Sequence, residues 1–131
     1  MTFTLDTNTL IYFFKGLGNI ADNLLSKSPS EILIPSIVLF ELEFGIVKSS
    51  KPEKRRKQLN QLLSSLKTLP FSQKEAKQAA IIKAELESKG TPIGPMDTLI
   101  AATAMASNST LVTHNTKEFS RIENLKIEDW F

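Results

Sequence analysis

The 131-residue sequence predicts an α/β fold in which helices cover a central parallel sheet, and three observations lead there. Short β-rich stretches alternate with longer helical patterns along the chain. The length is that of one domain, long enough to bury a core without cross-links. No repeat, low-complexity tract or linker divides it, so residues 1–131 read as a single unit.

The elements follow in order. FTLD at 3–6 is a short strand that stops at the polar turn TNT, and LIYFFK at 10–15 is a short buried helix. A second helix runs through IADNLLSK at 20–27 and is ended by Ser28-Pro29-Ser30. EILIP at 31–35 is a strand closed by Pro35, and Ser36 is placed as N-cap of an apolar helix over 37–49. Pro52 suits a first helical turn, and the helix to Leu66 carries Leu59, Leu62, Leu63 and Leu66 on one side and cations on the other. TLPF at 68–71 is extended. Ser72 caps a long amphipathic helix ending before Gly90, and Pro95 opens an Ala-rich helix to Ser107. TLVT at 110–113 is a strand, followed by the turn HNT, a short helix at 117–121 and a last strand at 126–128. In open sheets of this kind ligands bind beyond the carboxyl ends of the strands, so the strand ends are where chemistry is sought.

Composition narrows the chemistry. The absence of cysteine excludes disulfides, thiolate metal sites and cysteine nucleophiles, and fits a reducing cytoplasm. No signal peptide is visible and the longest apolar runs are too short to cross a bilayer, so a cytoplasmic protein without membrane contact is expected. The net charge of +2 conceals a partition: −3 over residues 1–47, +7 over 48–90 and −2 over 91–131. Acids at the two ends and cations in the middle suit a polyanionic substrate, although a solvated helical arm gives the same counts.

The chemistry-bearing candidates are carboxylates. Asp6 ends the first strand in Leu5-Asp6-Thr7-Asn8, where a plain helix cap is the alternative reading. An aspartyl phosphatase would need a second Asp where Asn8 stands. Glu41 lies among Ile37, Val38, Phe44 and Gly45 at helical spacing, in a turn so apolar that an ionised carboxylate needs a partner such as a metal ion. Asp97 sits in the first turn of the Pro95 helix, where the helix dipole alone favours an acid, but Ile93-Gly94-Pro95-Met96 aims that turn sharply. Asn115 and Glu118 follow the fourth strand at capping-box spacing. His114, the one histidine, lacks a metal-ligand partner and reads as a turn residue. An all-oxygen cluster suits Mg²⁺ or Mn²⁺, which can activate water for attack on phosphorus.

LDTN at 5–8, IPSIVLFELEFG at 34–45, PIGPMDTLIAATA at 92–104 and LVTHNTKEFSRI at 111–122, closed by LKIEDW, together resemble the PIN-domain family, and within it the VapC toxins of toxin–antitoxin pairs. The resemblance spans nearly the whole chain. It implies a Rossmann-like three-layer α/β/α sandwich with parallel strand order 3-2-1-4-5. It also implies a Mg²⁺- or Mn²⁺-dependent endoribonuclease with Asp6, Glu41 and Asp97 as metal ligands and catalytic acids. Thr7 or Asn8, with Thr113, would hydrogen-bond around the site. Where many PIN domains have a fourth acid this chain has Asn115; either Glu118 substitutes, the favoured expectation, or Asn115 holds a metal-bound water. The family cuts RNA to leave a 5′-phosphate and a 3′-hydroxyl, initiator tRNA being a common target of close relatives. A homodimer is implied, as is inhibition by a VapB-type antitoxin whose tail lies in a groove of the toxin. Promoter DNA would be contacted only through the antitoxin. Lys51, Lys54, Arg55, Arg56 and Lys57 are expected to grip the RNA backbone. A PIN-like module that binds RNA or protein without cutting, or a DNA nuclease with the same site, are the alternatives.

Overall fold

The computed structural model describes residues 1–131. Five parallel strands form the sheet: β1 (Phe3–Leu5), β2 (Ile32–Pro35), β3 (Lys67–Leu69), β4 (Thr110–Val112) and β5 (Ile127–Glu128), in spatial order β3-β2-β1-β4-β5. The helices between them are α1 (Thr7–Lys15), α2 (Ile20–Leu25), α3 (Ser36–Val47), α4 (Pro52–Leu63), α5 (Gln73–Ser88), α6 (Pro95–Ala106) and α7 (Thr116–Phe119). From β1 the chain steps outward through β2 to β3, then crosses back to β4 and β5. Right-handed crossovers therefore put α1–α4 on one face and α5–α7 on the other. The direction of winding reverses between β1 and β4, which pair Phe3 with Thr110, Thr4 with Leu111 and Leu5 with Val112. That reversal opens a crevice beyond the ends of the two strands.

Strands covered on both faces should be apolar throughout, and every residue of β1, β2 and β4 is buried. Leu5, Ile34, Leu111 and Val112 are fully enclosed. In α6 the small side chains of Ala101, Ala102 and Ala104 are also fully enclosed, so this helix can lie close against its neighbours. Thr4, buried in β1, meets the hydroxyl of Ser109, and no buried side-chain polar atom lacks a partner.

Most elements lie where the sequence placed them, and the shifts occur at their ends. Asp6 is not a strand residue but the N-cap of α1, which starts at Thr7, one turn before the apolar run. Pro35, not Ser36, caps α3. The third strand is Lys67–Leu69 and α4 stops at Leu63, because a turn intervenes before β3. The short α7 spans Thr116–Phe119 rather than 117–121. Ser72 caps α5, as the sequence placed it, and does so through a capping box with Glu75.

Leu111→Ala should empty part of the core at the centre of the sheet and cost about 2–5 kcal/mol. The check is urea unfolding followed by the fluorescence of Trp130, the single tryptophan, with a lower midpoint and an unchanged slope expected.

Candidate active site

Beyond the ends of β1 and β4 the chain assembles carboxylates from four elements. Asp6 leaves β1 with its N–H still donating to the Val112 carbonyl of β4 at 3.2 Å. Its carboxylate accepts the Thr9 N–H at 2.9 Å, so helix capping fixes the side chain. The Thr9 hydroxyl in turn donates to the Val112 carbonyl at 3.2 Å, tying α1 to β4. Glu41, on α3, is half-buried and accepts a hydrogen bond from the Thr7 hydroxyl at 2.5 Å. Asp97 rides in the first turn of α6, directed by Gly94 as N-cap and Pro95 at the first helical position. Glu118, on α7, accepts from the Asn115 side-chain amide at 3.1 Å. Thr113, fully buried just past β4, accepts the Asn115 N–H on its hydroxyl at 3.0 Å.

The electrostatics couple the other three acids to Asp97. Burial first, then the negative charges of Asp6, Glu118 and Glu41, push the Asp97 carboxyl up to about 6. Asp6 is also raised above its usual range, mainly because it is buried. The side chains of Thr113 and Thr9 partly offset this, and the charge of Asp129 adds to it. None of the four carboxylates forms a salt bridge with a Lys, Arg or His.

No three of these side chains converge into a ready-made ion cage. The donor chemistry nonetheless fits a hard divalent cation. Every candidate ligand is an oxygen, and a cation would relieve both the burial of a bare charge and the repulsion that together raise Asp97. Mg²⁺ characteristically keeps several waters and takes few carboxylates, so a spread set is no obstacle. Asp6, Glu41 and Asp97, with Glu118 beside them, would hold it.

The sequence candidates divide accordingly. Asp6, Glu41, Asp97, Glu118, Thr7, Thr113 and Asn115 are brought together. Asn8 is exposed and makes no side-chain hydrogen bond, so of the Thr7–Asn8 pair it is Thr7 that reaches the site. In the basic stretch, Arg56 is paired with Glu43 of α3 through contacts of 2.5 and 2.9 Å, which join α3 to α4 while both side chains stay 43% exposed. Lys51, Lys54, Arg55 and Lys57 remain exposed. Arg55 and Lys15 flank a largely apolar groove of about 210 Å³, formed by Ile11, Phe14, Leu42 and Leu59, that reaches Glu41. Thr9 and Asp129 were not anticipated. Asp6-x-x-Thr9 is the spacing of a cap and its N3 amide, a local signal for Thr9, whereas Asp129 is brought near by β5 alone.

A model of the PIN domain matches residues 3–125. Ribonuclease VapC2 of Rickettsia felis is 44% identical over 132 residues, covering 99% of this chain and 98% of that protein. The tRNA(fMet)-specific endonuclease VapC of Salmonella typhimurium is 38% identical, with 99% and 98% covered. Among solved structures, VapBC2 from Rickettsia felis bound to a DNA fragment from their promoter contains a chain with TM-score 0.91 and 43% identity, covering 100% of both.

A carboxyl whose folded-state pKa lies above its unfolded value holds its proton more tightly when folded, so its contribution favours folding at low pH. Without metal, stability should therefore fall as pH rises from about 4 through about 6, and Asp6 acts in the same direction. Asp97→Asn should be more stable to urea than the parent above this window, with the gain shrinking below it. Parallel unfolding curves in EDTA across the window make the check, and an identical pH dependence in both proteins would refute it.

Proposed function

The chain belongs to the PIN-domain family and, within it, to the VapC ribonuclease toxins, endoribonucleases that hydrolyse phosphodiester bonds, and from that premise we propose that it cuts tRNA at a Mg²⁺- or Mn²⁺-dependent site made of Asp6, Glu41, Asp97 and Glu118. One observation carries this reading: four carboxylates crowd one space at the strand ends with no cationic side chain paired to any of them. Such an arrangement costs stability and gains its use when a cation and a phosphate occupy it.

When bound, the divalent ion would supply an acidified water and neutralise charge on the phosphate. The chain's own groups do the positioning. Thr7 holds the Glu41 carboxylate, the Asn115 amide holds Glu118, and the helix cap holds Asp6. Arg55 and Lys15, on the groove beside Glu41, are suited to the substrate backbone, with Lys51, Lys54 and Lys57 extending that surface. Initiator tRNA is the first substrate to try, since one relative carries the name tRNA(fMet)-specific endonuclease.

The solved relative is a VapBC pair on promoter DNA, and the same assembly is proposed here. A VapB-type antitoxin would lay its tail in the apolar groove that ends at Glu41 and contact the DNA itself. A homodimer is proposed on the open apolar face of α3, where Phe40, Phe44 and Val47 stand 56%, 56% and 73% exposed at helical spacing. No helix is long and apolar enough to cross a membrane, and the cytoplasm is the proposed location.

Purified protein free of antitoxin should cut total tRNA into discrete fragments in Mg²⁺ and not in EDTA. Asp97→Asn should lower the rate by about 100- to 1,000-fold while RNA binding persists. Wild-type cleavage in EDTA would overturn the metal requirement, and full activity of the variant would overturn the role of Asp97.

Changing Lys54, Arg55 and Lys57 together to Ala should weaken RNA binding and reduce its logarithmic salt slope by roughly 2. Binding titrations at several salt concentrations read this directly. An unaltered slope would return α4 to a solvated face.

A further inference from the structure

Beside the carboxylates lies an aromatic cluster that neither metal binding nor the fold accounts for. His114 follows Thr113 directly and precedes Asn115, so it stands on the loop that completes the site. Its ring stacks on Phe131, with centroids 4.3 Å apart and planes 24° from parallel. Tyr12 of α1 meets both edge-on, 5.2 Å from Phe131 and 6.0 Å from His114. These three separations place Tyr12 at the side of the stack, close to a right angle at Phe131, and not above the imidazole. One face of His114 therefore rests on Phe131 while the other is uncovered by either ring, and the side chain is 47% exposed.

The pair is held as a rigid surface. Asp129 uses both carboxylate oxygens: Oδ2 accepts from His114 Nδ1 at 2.9 Å and Oδ1 accepts the Phe131 N–H at 2.9 Å. An ionised carboxylate only accepts, so the imidazole carries its proton on Nδ1 and its plane is set. The Phe131 carbonyl accepts the Asn19 N–H at 2.7 Å. Gly18, at φ +63°, closes against it so tightly that a Cβ there would come within 2.5 Å of the Phe131 oxygen. A side chain half in solvent is thus held in place by a carboxylate and a second ring before any ligand arrives. It is a good platform for a flat ligand.

We propose that His114, backed by Phe131, is a stacking platform for one unpaired nucleobase of the RNA, next to the phosphate held at the carboxylates. This rests on the ribonuclease reading and adds a positioning residue to it. Unpaired RNA bases are gripped by stacking on aromatic and histidine rings, and every base has a face to offer. The location fits: Asp129, which orients His114, is near enough to Asp6 for its charge to be felt there. Arg55 of α4 lies on the groove beside Glu41, which His114 does not line, so backbone grip and base grip come from different elements. Holding one flanking base limits the rotation of the scissile phosphate, and such positioning is a large part of a hydrolytic rate.

The test uses oligoribonucleotides of a tRNA loop with 2-aminopurine scanned through each position, bound to the non-cutting Asp97→Asn protein. The expected result is quenching at one position, lost in Asp97→Asn/His114→Ala and kept in Asp97→Asn/His114→Phe. In the cutting background, His114→Ala should lower kcat/KM by about 5- to 150-fold. RNA made abasic at the quenched position should lower it equally for the wild type and no further for the variant. His114 is exposed, so loss of fold is not expected, and Trp130 fluorescence checks it. Quenching that survives His114→Ala, or a Phe replacement that restores nothing, would overturn the platform while wild-type cleavage keeps the nuclease. Quenching without any wild-type cleavage would instead overturn the nuclease reading and leave the platform standing.

Discussion

Like-charge crowding at one end of the sheet is the constraint on which the rest of this structure turns. Burial, and then the charges of Asp6, Glu118 and Glu41, hold the proton of Asp97 on to about pH 6. Nothing in their own interactions favours that gathering. It is imposed by the sheet, whose reversal between β1 and β4 leaves a crevice at the strand ends, and by a core that fixes each helix. The enclosed alanines of α6 let Asp97 approach. Fully buried strands supply the burial that offsets the repulsion. Asp6, Glu41 and Glu118 are each restrained by a neutral donor, an N–H, a hydroxyl and an amide, which orients a carboxylate without cancelling its charge.

Much of this was legible in the sequence because it violates local expectation. A glutamate amid Ile37, Val38, Phe44 and Gly45 has no comfortable place on an apolar helix unless it opens onto something, and Glu41 does open onto the site. Asp97 after Gly94-Pro95 was visible because those residues fix how the helix begins. Strands and helices followed from periodicity, and their ends moved where a cap or turn prevailed over hydrophobic pattern, as at Asp6. What escaped was tertiary. Arg56 looked like one more cation of a basic run until Glu43, thirteen residues earlier, proved to hold it across two helices. Asp129, His114 and Phe131 are ordinary in a linear reading. Only the pairing of β5 with β4 brings them beside Asp6.

The fourth position shows how charge is rationed. An aspartate at 115 would add another negative group to a space where Asp97 already struggles to ionise. Asparagine there instead donates its amide to Glu118 and so spends its polarity on aiming the acid one helical turn on. Its own N–H is tied to Thr113, the buried residue closest in sequence to the end of β4, which keeps the loop in register with the strand. In the proposed site the fourth acid is therefore Glu118 of α7, whose charge reaches Asp97. Removing the Asn115 amide would not merely delete a neutral residue. It would free Glu118 to turn away from its neighbours, since repulsion favours any rotamer that escapes them. The amide of Asn115 opposes that escape, and the proposed cation would remove the repulsion that drives it.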